Sequence, residues 1–288
     1  MTRLAGQVAV VTGGGRGLGL AAARALAAEG ARVVVVDTGV EVDGRGGDGS
    51  VAEAAAESLR AAGADAEAVV ESVATEAGAK AIVARAVQRF GGVDVLVNAA
   101  GVLRDRTFLR TTVEDLDAAM AVSARGTFVM SQAVAREMLA QKRGGRIVSM
   151  TSTAGLFGVL GQAAGAAAGA AVHALTRVMA IELRKHGIRV NAIAPVARTR
   201  TTAHLPMFAD GGLGDDAYGP QFVAPAVVFL ASDASGELTG EVLSVAGTKV
   251  SRYRVQESAG AVADDPRTPW SAQELSARWA DFARFGVR

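Results

Sequence analysis

The chain has 288 residues, half of them hydrophobic, enough for one large α/β domain or two small ones with a sizeable core. Lys and Arg total 30 against 29 Asp and Glu, so the net charge is +1 and no broad basic field exists to attract a nucleic acid. The absence of cysteine excludes disulfides, thiolate catalysis and sulfur-bound zinc, and His173, His186 and His204 lack the carboxylate-rich spacing of a metal site.

The N-terminal MTRLAGQVAVV runs straight into an apolar strand pattern, without the basic, apolar and cleavage regions of a leader, so a cytoplasmic protein is expected. From there to about Val245, short β-branched runs alternate with alanine-rich helical patterns. That alternation predicts a Rossmann-like α/β fold: a doubly wound, seven-stranded parallel sheet in a single domain, residues 1–250, with a C-terminal helical tail, residues 251–288. The strands fall at Gln7–Thr12, Arg32–Asp37, Ala66–Val70, Val93–Asn98, Arg146–Met150, Ile188–Ile193 and Glu241–Val245. Helices fall at Gly17–Glu29, Val51–Ala62, Ala77–Phe90, Val113–Ala140 (broken), Gln162–Arg184 and Ala224–Ser232.

Two segments interrupt this rhythm. Thr38–Ser50, TGVEVDGRGGDGS, is too polar and glycine-rich for a strand and reads as a surface loop. Thr199–Gly219 contains Pro206, Gly211, Gly212 and Gly214 and reads as a flexible lid past a strand's carboxyl end. Between Arg146 and Arg177 no charged residue occurs, but the stretch is mainly Ala, Gly, Thr and Ser, which favours a buried interface helix over a membrane span. In the tail, Ser271 and Glu274 form a capping box, and Leu275, Trp279 and Phe282 line one helix face that docks on the body or on a neighbouring subunit.

After the first strand comes TGGGRGLG, residues 12–19, opening a helix. Gly13 lets the chain turn, Gly17 admits a pyrophosphate close to the backbone, and Gly19 allows tight helix packing, with the helix N-terminus facing the anion. Asp37 ends the next strand about 20 residues on, where a carboxylate accepts from a ribose diol and repels a 2′-phosphate. NAD is thereby favoured over NADP. Arg16 pulls the other way, since a guanidinium here reaches a 2′-phosphate, or it is a solvated surface charge.

TGGGRGLG, NAAG at Asn98–Gly101 and the strand end carrying Ser152 together resemble the short-chain dehydrogenase/reductase family over nearly the whole chain. VVDTG at Val35–Gly39, LRDRTF at Leu103–Phe108, SMTSTAG at Ser149–Gly155 and the tail WSAQELSARWADF resemble its (3R)-hydroxyacyl-CoA dehydrogenase branch, which acts on fatty-acyl or steroid side-chain CoA thioesters. The resemblance implies that Gly13, Arg16, Gly17, Leu18 and Gly19 form the cofactor loop. It sets Asn98, Ala99, Ala100 and Gly101 against the adenosine ribose, and Glu71, Ser72 and Val73 against adenine. Glu71 stands where the family usually has Asp.

Family chemistry needs a serine to hold the substrate oxygen, a tyrosine to exchange its proton, and a lysine four residues later. Tyrosine and lysine at i and i+4 share a helix face, so the ammonium binds the nicotinamide ribose and lowers the phenol pKa. Ser152 matches the serine. The tyrosine position, thirteen residues on, is Gly165, and the lysine position is Gly169; Gly161-Gln162-Ala163 fixes this register independently. The asparagine on a neighbouring helix is replaced by Ser123. Glycine supplies none of this chemistry, and general acid–base help is worth about 100- to 10,000-fold.

The implied function is a dinucleotide-binding protein with a degenerate active site. It would serve as a non-catalytic subunit of an acyl-CoA or steroid-CoA dehydrogenase assembly, a homo- or hetero-oligomer with an active paralogue, contacting neither nucleic acid nor membrane. Three alternatives stay open. One is an NAD-dependent 3-hydroxyacyl-CoA oxidoreductase whose acid is displaced, with Tyr218 the better placed of the two tyrosines and His173 a core or subunit contact. Another is a sensor of NAD or acyl-CoA, and the third is loss of cofactor binding altogether. Arg104, Asp105 and Arg106 either face substrate or form a solvated turn. Gly161, Gly165 and Gly169 also make a small-residue stripe, suited to close packing of another backbone.

Overall fold

The valine-rich runs are apolar on both faces, and a strand of that kind requires helices above and below it. The computed structural model describes residues 2–208, 214–263, 265 and 267–283. The first half runs β1 (Val8–Thr12), α1 (Gly17–Ala28), β2 (Arg32–Val36), α2 (Ser50–Ala61), β3 (Ala66–Val69), α3 (Glu76–Phe90), β4 (Val95–Asn98), α4 (Val113–Ala119), a π-helical turn (Met120–Arg125) and α5 (Gly126–Gln141). The second half runs β5 (Gly145–Met150), α6 (Ala154–Phe157), α7 (Ala163–Leu183), β6 (Ile188–Val196), α8 (Asp215–Tyr218), α9 (Ala224–Ala231), β7 (Val242–Ala246) and β8 (Lys249–Tyr253), and the tail adds α10 (Ala272–Ala277) and α11 (Trp279–Phe282). The chain divides into two units, Met1–Arg252 and Tyr253–Arg288.

The sheet order is β3-β2-β1-β4-β5-β6-β7-β8, with β1 to β7 parallel. The seven expected parallel strands are present, and the structure adds an eighth strand at the edge beside β7. β8 follows β7 after the two residues Gly247 and Thr248, and so tight a turn returns the chain antiparallel. Its residues KVSRY are almost wholly exposed, so no apolar face marked them in the sequence.

Strand alternation supplies two cores. Ala9, Val11, Val33, Val35, Val95 and Val97 point to the side covered by α1, α2 and α9, where Ala22, Leu26, Leu59, Val227 and Leu230 meet them. Val8, Val10, Val34 and Leu96 point to the other side, under Ile82 of α3, Met130 and Val134 of α5, and Ala180 of α7. α7 belongs to a helix long and apolar enough by composition to cross a bilayer, Ala163–His186. Within the first unit it lies on the sheet, with Ala164, Ala168, Val172, Thr176 and Ala180 buried beneath it.

The helix expected over Val113–Ala140 is broken, as the sequence indicates. Thr112 and Asp115 cap α4 reciprocally, and the π-turn carrying Ser123 inserts before α5. In the second unit the Ser271/Glu274 capping box is present, but the helix breaks at Arg278. There the guanidinium lies 5.0 Å over the Trp270 ring, and Phe282 meets Trp270 edge-on at 5.4 Å. Leu275 and Trp279 are exposed. Gly211 and Gly212 of the expected lid lie outside the described residues.

A side chain fixes the entry to β4. Val93, fully buried, donates its N–H to Gln141 Oε1 at 2.7 Å and accepts from Gln141 Nε2 at 2.8 Å, so one amide completes both backbone groups. Replacing Gln141 by Ala leaves both unpaired at about 1–3 kcal/mol for each group that water does not reach. A lower urea midpoint with unchanged slope checks this, and Gln141→Glu, which keeps the acceptor, falls between Ala and the native residue.

Candidate functional site

Strand order reverses between β1 and β4, which leaves a crevice at their carboxyl ends where ligands bind in such sheets. Gly13 turns the chain out of β1 with φ +62°, and a Cβ there would lie 2.8 Å from Ala100 Cα. A Cβ on Gly19 would fall inside contact distance of the Gly13 carbonyl, so α1 starts directly against the turn. Arg16 at the N-cap of α1 makes no side-chain cap, and the first turn holds no acid. These free N–H groups and the cradle fit the diphosphate of a dinucleotide. Leu18 packs under the first core and faces inward.

Asp37 is held in place. Oδ2 accepts from the Gly15 N–H at 3.0 Å and Oδ1 from the Gly39 N–H at 2.8 Å, at the end of β2 where a ribose diol would meet it. Arg16 turns away from it and donates through Nη2 to the Val40 carbonyl at 2.7 Å. Arg200, after β6, shares that carbonyl at 3.0 Å and pairs with Glu41 at 2.8 Å, while Thr199 stands 3.8 Å from where a Gly17 Cβ would be. The loop expected over Thr38–Ser50 is thus tied across the site, and Arg104 also donates to its Asp43 carbonyl at 2.7 Å.

At the end of β4, Asn98 is buried and donates to Ser131 Oγ and Ser149 Oγ, both at 3.1 Å. Ala99 and Ala100 donate their N–H groups to Thr12 Oγ1 at 3.1 and 3.3 Å, which locks β4 to the glycine turn. Gly101 is exposed beside Ser123, whose Oγ lies 3.3 Å from a Gly101 Cβ position. Glu71 and Ser72 stand exposed past β3, but the Val73 side chain is buried under Gly126 of α5, so only the first two present side chains outward.

At the reaction site Ser152 Oγ is turned inward and accepts from the Gly155 N–H at 3.1 Å. A Cβ on Gly169 would meet that Oγ at 2.5 Å, and a Cβ on Gly155 would meet Ala170 N at 2.5 Å. The α6 turn thus lies backbone-to-backbone on α7 at the lysine position. Gly165 is different: among the described residues outside its own helix turn, only Leu103 Cδ2 comes within 4 Å of its Cβ position, at 3.5 Å. The Tyr218 ring packs on Phe208 and on Gly247 after β7, whereas Ser152 follows β5, two strands away in the sheet. His173 is half-buried, and burial followed by repulsion from Arg177 lowers its pKa, so it is a neutral packing group at pH 7.

Arg104, Asp105 and Arg106 are not a solvated turn. Arg106 pairs with Asp115 at 3.2 Å and Arg104 approaches it at 3.7 Å, while Asp105 Oδ2 accepts from Gln162 Nε2 at 2.9 Å and lies 3.8 Å from His204 Nε2. This grouping is absent from the sequence reading, because Asp105, Gln162 and His204 come from three separate loops. The Thr112 N–H first, then Arg106, the Thr112 hydroxyl and Arg104, hold the Asp115 carboxyl below its usual range.

Fold and cradle define a dinucleotide-binding protein. The short chain dehydrogenase family profile matches residues 7–205. The chain is 38% identical over 292 residues to hydroxyacyl-CoA dehydrogenase ChsB1 of Mycobacterium tuberculosis, covering 98% of this chain and 90% of that one. It is 36% identical over 286 residues to peroxisomal multifunctional enzyme type 2 of Mus musculus, covering 98% of this chain and 37% of that longer protein. A crystal structure of a short chain dehydrogenase from Mycobacterium avium superposes with a TM-score of 0.84 at 38% identity, covering 97% and 95% of the two chains. The chain therefore belongs to the short-chain dehydrogenase/reductase family and is related to its 3-hydroxyacyl-CoA dehydrogenases.

The two site glycines separate on substitution. Gly165→Ala gains about 0.5–1 kcal/mol from helix propensity, because its Cβ finds room. Gly169→Ala loses about 1–3 kcal/mol, because Ser152 must move, and urea midpoints of the two variants shift in opposite directions. Asp115 gives a pH signature. Its depressed pKa means that its stabilisation is present above the unfolded carboxylate value and is lost as pH falls below about 4. Asp115→Asn is therefore less stable than the native chain at pH 7, and the gap narrows as pH falls from about 4 through the lowered folded value.

Proposed function

We propose that this chain is a dinucleotide-binding subunit that has lost the family's tyrosine–lysine relay and is non-catalytic at ordinary enzymatic rates. It assembles in the cytoplasm with an active paralogue that processes acyl-CoA or steroid-CoA thioesters. The observation carrying this is the pair Gly165 and Gly169, in register with Ser152, beside a complete glycine cradle. A nicotinamide dinucleotide supplies hydride-accepting chemistry when bound. The chain contributes Gly13, Gly17 and Gly19 around its diphosphate, Asp37 at its ribose, and Ser152 at the substrate oxygen.

NAD is the preferred form in this reading. The fixed Asp37 carboxylate repels a 2′-phosphate, and Arg16, the cation that would welcome one, is engaged with Val40. The relationship to hydroxyacyl-CoA dehydrogenases supports a CoA thioester as the ligand.

Calorimetry is expected to show NAD binding well above NADP, with Asp37→Ala narrowing the difference. With NAD and (3R)-hydroxydecanoyl-CoA the homomer turns over at least about 100-fold below an active relative. The double variant Gly165→Tyr, Gly169→Lys raises the rate by about 100-fold once Ser152 rotates out of the lysine path. Turnover by the native homomer at ordinary rates overturns the proposal.

A further inference from the structure

One polar cluster beside the vacated tyrosine position has no part in the cofactor cradle. Asp105 follows β4, Gln162 precedes α7 and His204 follows β6, so three loops at the carboxyl edge of the sheet meet there. Gln162 occupies one carboxylate oxygen of Asp105, and His204 Nε2 stands 3.8 Å from that same oxygen. The second oxygen, Oδ1, is buried without a hydrogen-bond partner. A buried acceptor calls for a donor on this carboxylate, and a shift of about 1 Å would bring His204 Nε2 within hydrogen-bond range of Oδ2, the oxygen it would share with Gln162. Gln162 lies three residues before Gly165, about 4.5 Å along the axis and on the same helix face. Leu103, two residues before Asp105, places Cδ2 3.5 Å from the Gly165 Cβ position. The cluster therefore borders the open space that a tyrosine would fill.

We propose that His204, oriented by Asp105, is a substitute proton acceptor for a secondary alcohol held beside Ser152. This rests on the dinucleotide-binding half of the proposed function, and it gives the homomer a slow residual reaction in place of none. The step balances. The carbinol hydrogen leaves with its electron pair to an oxidised nicotinamide dinucleotide, the hydroxyl proton goes to a ring nitrogen of His204, and the carbon–oxygen bond becomes a carbonyl. His204 is 56% exposed, so its proton passes on to water. Asp105 is a positioning residue that fixes the ring and its tautomer. The other charged groups nearby are already engaged: Arg104 and Arg106 face Asp115, and Arg200 faces Glu41.

The test uses the full chain with NAD and (3R)-hydroxydecanoyl-CoA, following NADH formation from pH 5 to 9, and side-chain NMR of the three histidines. Slow turnover is expected. His204→Gln lowers kcat about 100-fold or more with NAD affinity unchanged. Asp105→Asn lowers kcat at least about tenfold with KM little changed, and it removes the shift of the His204 side-chain NMR signals that the thioester produces in the native chain, a readout that needs no turnover. His204 signals that the thioester leaves unmoved in the native chain, or a His204→Gln rate within twofold of native, overturn the relay. NAD binding with no detectable turnover also overturns it while leaving the non-catalytic subunit standing. Ordinary enzymatic rates indifferent to His204 sink both.

Discussion

The contact on which the carboxyl edge of this sheet depends is the one between the turn after β1 and the end of β4. Gly13 lies against Ala100 at a distance no Cβ tolerates, and Thr12 Oγ1 gathers the N–H groups of Ala99 and Ala100. Those contacts join the two parallel strands at the switch point, and the sheet order sets the site loops that follow β2, β5 and β6 to either side of them. Asn98 Nδ2 reaches across to Ser131 and Ser149 and ties α5 and β5 into the same frame.

The reaction site shows how separable a fold is from its chemistry. α7 keeps the packing that places it on the sheet, through Ala164, Ala168, Val172 and Thr176, while the positions that the resemblance assigns to the family reaction hold glycine. Each helical glycine is unfavourable by about 0.8–1 kcal/mol relative to alanine, yet the two are not equivalent. Position 169 is committed to the close approach of α6 and to the Ser152 hydroxyl. Position 165 has no comparable constraint, and its glycine has no packing explanation in the first unit.

Much of the fold was legible in the sequence because its signals are local and periodic. Valine runs separated by alanine-rich helices, a glycine turn after the first strand and an acid at the end of the second each report a physical requirement of the parallel sheet. β8 was illegible for the converse reason: an exposed edge strand needs no apolar alternation. The assignment of Gly165 and Gly169 to the family's tyrosine and lysine positions rests on the sequence alone, through Ser152 and Gly161-Gln162-Ala163. What could not be read was proximity across loops. His204 lies 99 residues from Asp105 in the chain, Arg200 lies 159 from Glu41, and only the strand order brings each pair together.

Asp37 carries a consequence for recognition. Its carboxylate is aligned by the Gly15 and Gly39 N–H groups, with no ligand needed to hold it. Ordering a flexible acid at the moment of association would consume part of the affinity, and a receptor group fixed beforehand avoids that loss. The same rigidity limits adaptation: a carboxylate anchored at both oxygens has little freedom to swing aside for an extra phosphate. In the proposed preference for NAD, the backbone of two glycines counts as much as the acid itself.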